Sequence, residues 1–391
     1  MSQKPEEITI AMLGSSGVGK TTILASMYEQ LTISKIANLE IIPDEESAAR
    51  LEKKLAELKS MLVPGQEVDM KVQIERGIQG NEENIRRLER RLAELRSMIA
   101  REEGSIIASE GSGNTVQIGK GIPGTEAPND DPYSIMSLAF DIPLPDQQSL
   151  QLHFYDYPGR YISGKAREIE KNFVTELVTA ADVVIIAIDT PALVMRDGTY
   201  NEVVNKTELI TEIFKETYIN IESPKLVLFV PVKCEREMIK GERDALELTE
   251  KIKTAYSALL DFFASPFISS EIAVVVTPIQ TLGCVKCTRI AEPTTEDNPI
   301  FVFRKHPDAD AKYSPRDTDQ PLSYIMAFLL NHHLRNQDNQ NIFRRGVAWV
   351  FGWNNKIKES IRIFARRCKK TGGFEVIQGE ELLDINIRNR K

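Results

Sequence analysis

The apolar run Ile8-Thr-Ile-Ala-Met-Leu13 leads straight into Gly14-Ser15-Ser16-Gly17-Val18-Gly19-Lys20-Thr21-Thr22, and nothing else in the chain narrows its fold so far. Glycine, four residues, then Gly-Lys-Thr, set between a buried strand and a helix with apolar Ile23, Leu24, Met27 and Leu31, is the pattern of a phosphate cradle. The glycines let the backbone N–H groups of the loop converge on a polyphosphate without side chains in the way. The helix N-terminus adds partial positive charge. On this reading Lys20 reaches the β- and γ-phosphates of a nucleoside triphosphate and the Thr21 hydroxyl ligates Mg²⁺. The alternative is a glycine-rich strand-to-helix turn that holds no ligand.

A chain of 391 residues has length for two or three domains, and 42% apolar with 27% charged residues is ordinary for a globular protein. No stretch approaches the roughly 20 apolar residues of a membrane span. The start, Met-Ser-Gln-Lys-Pro-Glu-Glu, lacks the apolar centre of a secretory signal. Four cysteines, Cys234, Cys284, Cys287 and Cys368, do not make a disulfide framework at this length. These features predict a cytoplasmic protein. Charge is uneven: residues 342–391 hold twelve Lys/Arg against five Asp/Glu in a chain of net charge −8. A separate contact surface there is plausible on charge alone.

After the first helix comes a near-repeat, Leu51-Glu-Lys-Lys-Leu-Ala-Glu-Leu-Lys-Ser-Met-Leu62 against Leu88-Glu-Arg-Arg-Leu-Ala-Glu-Leu-Arg-Ser-Met-Ile99. Apolar residues at i, i+4, i+7 read as helix in both copies, either as an antiparallel hairpin or as two helices packed separately. Residues 104–132 are loop-like. Two period-2 segments, Tyr133 to Ile142 and Leu150 to Tyr155, predict antiparallel strands. Then helix and strand alternate: a helix around Phe173, strand 183–188, a helix over 201–220, strand 226–230, a helix over 242–263, strand 272–276. Residues 289–320 read as a long loop and 324–334 as a closing helix. This rhythm predicts an α/β fold, a three-layer sandwich on a mostly parallel sheet, with 1–42 and 104–338 as the main domain, 43–103 as a helical insertion and 339–391 as a basic extension.

Three further motifs end predicted strands, at the edge where such sheets bind ligands. Asp156-Tyr-Pro-Gly159 follows strand 150–155 and resembles the second switch of Ras-like GTPases, where the Asp orients a Mg²⁺-bound water and the Gly N–H senses the γ-phosphate. Its plainer reading is a β-turn on Pro158-Gly159. Val232-Lys233-Cys234-Glu235 stands where those proteins carry Asn/Thr-Lys-x-Asp, whose Lys covers guanine and whose acid accepts two hydrogen bonds from it. Thr277-Pro-Ile-Gln-Thr-Leu-Gly283 falls where their last guanine-contacting loop lies, with a backbone N–H for the base. For the first switch Thr125 is the candidate Mg²⁺ ligand, with Thr115 as runner-up.

Together these motifs resemble the translation-factor-like (TRAFAC) class of P-loop GTPases. More narrowly, Leu-Gly-x-x-Gly-x-Gly-Lys-Thr-Thr-x-Leu-Ala-Ser-Met-Tyr, Asp-Tyr-Pro-Gly and Lys-Cys-Glu are similar to bacterial double-GTPase and GTPase-associated-system proteins. The resemblance spans 8–31 and 124–335 and implies a Ras-like G domain that binds GTP/GDP with Mg²⁺, within a bacterial multi-protein conflict or defence system. Arg160 stands where Ras-like proteins carry the water-orienting Gln, which implies slow hydrolysis, or else a cis arginine finger. A scaffold that binds GTP without turnover is the rival expectation.

Other signals are weaker. Cys284-Val-Lys-Cys287 is a lone Cys-x-x-Cys, read as packed thiols ahead of zinc. His332-His333 reads as a solvated helix end. The apolar 347–353 segment and the basic amphipathic stretch after it either pack back on the main domain or meet a protein partner or a membrane surface. No nucleic-acid module is apparent. The insertion and the extension are the expected partner surfaces, and self-association is possible.

Overall fold

The computed structural model describes residues 6–33, 41–60, 62, 115–117, 131–135, 137–143, 149–221, 223–239, 241–291, 299–305, 312–340 and 353–383. Its strands are β1 (Glu6–Leu13), β2 (Ile42–Pro43), β3 (Thr115–Gln117), β4 (Leu138–Pro143), β5 (Ser149–Tyr155), β6 (Val183–Asp189), β7 (Lys225–Val232), β8 (Ile272–Val276), β9 (Val285–Ala291), β10 (Ile300–Lys305) and β11 (Glu375–Gln378). Eight of them form one sheet, in the order β11-β8-β7-β6-β1-β5-β4-β2, and three form a second, β3-β10-β9. In the large sheet β1, β5, β6, β7 and β8 run parallel, while β4, β2 and β11 are antiparallel to their neighbours. Chain direction across the sheet reverses at β1, which lies between β5 and β6. That is the place where open α/β sheets leave a crevice for ligand.

The central strands are apolar on both faces because both are covered. In β6, Val183 and Ile185 belong to one core, Val184, Ile186 and Ile188 to the other. The first core takes α1 (Lys20–Ile33), α7 (Gln320–Gln340) and α8 (Trp353–Arg367) through Ile23, Leu24, Ile325, Phe328 and Phe364. The second takes α3 (Glu168–Ala180), α4 (Thr207–Thr217), α5 (Glu242–Ala255) and α6 (Ser257–Phe263) through Phe173, Phe214, Ile252 and Phe263. The chain is thus an α/β protein on a mostly parallel sheet.

Several elements differ from their sequence expectation. The helix expected over 201–220 is two, Asn201–Asn205 and Thr207–Thr217, broken at Lys206 with φ of 55°. Strand β4 starts only at Leu138, because Pro132 opens a 3₁₀ turn capped by Asp131. The expected loop over 289–320 contains β10, whose Ile300-Phe-Val-Phe303 is apolar enough to pair with β9.

The first leucine copy forms α2 (Glu45–Ser60), capped by Asp44, whose Oδ1 accepts the Ser47 N–H at 2.8 Å. Leu51 and Leu58 enter the first core, and Lys59 pairs with Glu29 of α1 at 2.7 Å. This copy therefore packs on the main body. The second copy lies outside the described residues. In the basic C-terminal stretch, α8 buries Ile361 and Phe364, Arg367 pairs with Asp319 at 3.0 Å, and β11 completes the sheet edge beside β8. That stretch continues the body instead of standing apart from it. Among the described residues no helix is long and apolar enough to cross a membrane.

Candidate functional site

The loop 14–19 leaves β1 at the sheet's ligand edge and turns into α1 at Lys20. Gly14, Gly17 and Gly19 have φ of 149°, 77° and 122°, backbone that a side chain would strain. Lys20 is buried, and its Nζ donates to Gly14 O at 2.7 Å, closing the loop on itself. Burial pulls its pKa below the ordinary value, with the Asp156 charge opposing. The ammonium also lies 5.7 Å from the centre of the Tyr157 ring. Ser15 Oγ is buried with no hydrogen-bond partner among the described residues, and Ser16 and Gly17 are exposed.

Asp156 follows β5 directly, and its Oδ2 accepts from Thr21 Oγ1 at 2.5 Å. A hydroxyl and a carboxylate side by side, at the foot of the glycine loop, are hard oxygen donors of the kind Mg²⁺ takes. These residues fit that ion. Gly159 packs on the loop so closely that a Cβ there would lie 2.1 Å from Ser16 N and 2.3 Å from Ser15 C. Tyr157 and Tyr161 stack with centroids 5.9 Å apart, and Phe173 of α3 meets both edge-on. The turn after β5 is thus anchored in the second core. Arg160 is half-exposed and turned toward α3, where its Nε meets Glu170 Oε1 at 3.5 Å. Its guanidinium also covers the Tyr161 ring.

Lys233, at φ of 58°, follows β7 and reaches across to the loop. Its Nζ donates to Gly17 O at 2.8 Å and to Asp189 Oδ2 at 2.5 Å. Asp189 ends β6, is 1% exposed, and caps the short helix Thr190–Val194 through the Ala192 N–H at 3.0 Å. Asn205 holds Asp189 in place, with Oδ1 accepting the Asp189 N–H and Nδ2 donating to Asp189 O. One ion pair joins the ends of β6 and β7, and Lys233 ties them to the glycine loop through Gly17 O. Val232 packs beneath Gly19, an apolar contact where the resemblance has a hydrogen-bonding Asn or Thr.

Glu235 is 1% exposed, and its Oε1 accepts the N–H groups of Leu282 and Gly283, each at 3.3 Å. Burial raises its pKa, and these bonds only partly oppose that. In the loop 277–283 the Thr277 N–H donates to Phe229 O at 2.9 Å, extending the β7–β8 ladder, while the N–H groups of Leu282 and Gly283 meet Glu235. Lys233, Glu235, Val18 and Thr22 line one small cleft together with Leu58, Leu282 and Phe303. Thr115 begins β3, paired opposite Arg304, and Thr125 lies outside the described residues. Cys234, Cys284 and Cys287 are buried thiols, burial pushing Cys287 up to about 12. Among the described residues no three His, Cys, Asp or Glu side chains group as a metal site.

Asp189, which pairs with Lys233, and Phe303, which lines the cleft, lie outside the sequence motifs. Asp189 has a visible signal, an acid closing the apolar run of a buried strand. Phe303 has only a short apolar alternation inside a Pro- and Asp-rich stretch. The chain matches no protein-family model and no curated protein.

Proposed function

We propose that this protein is a Mg²⁺-dependent GTP-binding switch of the P-loop class, with a Ras-like G domain and slow hydrolysis. The observation that carries the reading is the convergence of Lys20, Thr21 and Asp156 on one loop whose glycines leave its backbone open. In this reading the loop N–H groups and Lys20 hold the β- and γ-phosphates, Thr21 and Asp156 hold Mg²⁺, and the ion neutralises charge on the phosphates. Lys233 lies along the base. Glu235 reads the base edge, its 3.3 Å backbone contacts being long enough to brace the carboxylate without saturating it. Slow turnover is supported by Arg160, which stands at the sequence position of the water-orienting residue and is turned to Glu170 of α3. The same observation supports the rival, a GTP-dependent scaffold without turnover. A bacterial assembly and a protein partner rest on the resemblance alone.

Calorimetric titration with GTP and ATP, with and without Mg²⁺, tests the reading. We expect GTP to bind with Mg²⁺, ATP to compete poorly, and Lys20→Ala to abolish binding. Unchanged GTP affinity in Lys20→Ala overturns the phosphate site, and equal competition by ATP overturns guanine.

A further inference from the structure

We infer that the C-terminal segment positions the loop 277–283: Lys369 and Arg367, through a strap of residues 313–319, set where the N–H groups of Leu282 and Gly283 hold Glu235. What that loop binds rests on the nucleotide reading above. The loop hangs on two supports. Its first half belongs to β7, with the Thr277 N–H donating to Phe229 O at 2.9 Å and the Ile279 N–H to Pro231 O at 3.0 Å. Its second half is held by the strap. Gln280 and Arg316 exchange both backbone hydrogen bonds, at 3.0 and 2.9 Å, and the Ser314 N–H donates to Leu282 O at 3.0 Å. Gly283, at φ of 69°, comes so near the strap that a Cβ there would lie 1.7 Å from Ser314 O. Leu282 and Gly283 are the residues whose N–H groups meet Glu235 Oε1.

The strap in turn is fixed by the residues at the end of α8. Asp317 stands in the left-handed region at φ of 62°, uncommon outside glycine and costly unless the surroundings hold it. Its Oδ1 takes Lys369 Nζ at 2.5 Å, and Asp319 Oδ2 takes Arg367 Nη2 at 3.0 Å. The Lys369 N–H donates to Oε1 of the buried Gln320 at 2.9 Å, and the Tyr324 hydroxyl donates to Lys369 O. These two bonds fix the Lys369 backbone against α7, so its ammonium meets Asp317 from a set position. Basic residues of the C-terminal stretch are thereby turned onto the chain's own aspartates. Each pair is partly exposed, Lys369 by 49% and Arg367 by 37%, which limits one pair to about a fivefold effect on an equilibrium. Reversing a charge goes further, because it replaces attraction by repulsion. Thr318 Oγ1 still donates to Ser26 O of α1 at 3.2 Å, so the strap loosens without detaching.

The test uses the full chain and reads two quantities. Lys369→Glu is made alone and together with Asp317→Lys, which restores the pair with its charges exchanged. Hydrogen exchange over 279–284, measured without nucleotide, should quicken about three- to tenfold in Lys369→Glu and return toward the parent in the double variant. Titration with Mg²⁺ should show GTP affinity falling by about the same factor, inorganic tripolyphosphate affinity unchanged, and GTP affinity recovering in the double variant. Unaltered exchange over 279–284 overturns the strap. So does a loss shared equally by tripolyphosphate, which marks a general loss of structure, and so does a double variant no better than Lys369→Glu. If Lys369→Glu fails to fold, Lys369→Met removes the charge alone and is read by the same exchange and titration criteria. A parent protein that binds neither GTP nor tripolyphosphate brings down the nucleotide reading, and the exchange measurement still decides the strap.

Discussion

Replacing Asp189 by Ala removes two contacts at once, and the structure assigns each a size. The first is the ion pair with Lys233, whose side chain is only 12% exposed. Breaking a buried pair by deleting one partner costs about 3–5 kcal/mol, because the other charge stays behind. Lys233 keeps Gly17 O and the Phe301 ring, which puts the cost at the low end, about 3 kcal/mol. The second is the cap on Ala192 N–H, worth about 1 kcal/mol. The expected loss is thus about 4 kcal/mol, a large part of the 5–15 kcal/mol typical of a folded protein. Asp189→Asn keeps an acceptor for the cap and loses only the charge, so it should fall between Ala and the parent. Urea denaturation followed by circular dichroism measures both, with GTP affinity read in parallel. A loss below about 1 kcal/mol in Asp189→Ala, or equal losses in the two variants, would refute the view that this carboxylate holds Lys233 on the glycine loop.

Three further outcomes are expected. Gly159→Ala puts a methyl into Ser16 backbone and must lift the turn off the loop, so GTP affinity should fall more than GDP affinity; equal losses in competition titrations would contradict this. Arg160→Gln places at that position the residue type that orients water in Ras-like proteins, and should raise the single-turnover hydrolysis rate at little cost in stability, since the guanidinium is half-exposed. An unchanged rate counts against the slow-switch reading. For Glu235, burial raises the carboxyl pKa above its ordinary 4.5, so the folded state holds the proton longer than the unfolded chain. Stability from this group is greatest at low pH and declines as pH rises from 4.5 through the raised value. Glu235→Gln removes that decline while keeping an acceptor for Leu282 and Gly283. Its denaturation midpoint relative to the parent should therefore rise between pH 4.5 and 7, and a constant difference would exclude the buried charge as the cause.

Residues 8–22 by themselves determine a strand, a cradle and a helix, because local backbone demands are written in the glycines and the adjacent apolar runs. Val183–Ile188 and Ile272–Val276 likewise announce buried strands, since only a sheet covered on both faces uses such runs. The strand-end motifs at 156–159 and 233–235 were legible for the same reason: their chemistry sits beside an unmistakable strand. Tertiary structure alone decided how these pieces act on one another. The loop 277–283 reads as a source of one backbone N–H, and only the fold gives the Thr277 N–H to Phe229 O and those of Leu282 and Gly283 to Glu235. Arg160 reads as standing at the water-orienting position or as a cis finger, and only the fold shows its Nε turned to Glu170 of α3, ten residues on. Asp189 and Lys233 are 44 residues apart, and no local pattern pairs them or brings the lysine to Gly17 O. Phe303 was hidden most deeply. Its strand is short and its partners, β9 and the distant β3, are chosen by which apolar face must be covered. Local sequence encodes backbone preference within a few residues, whereas long-range pairing and burial decide where each charged or aromatic group can be satisfied.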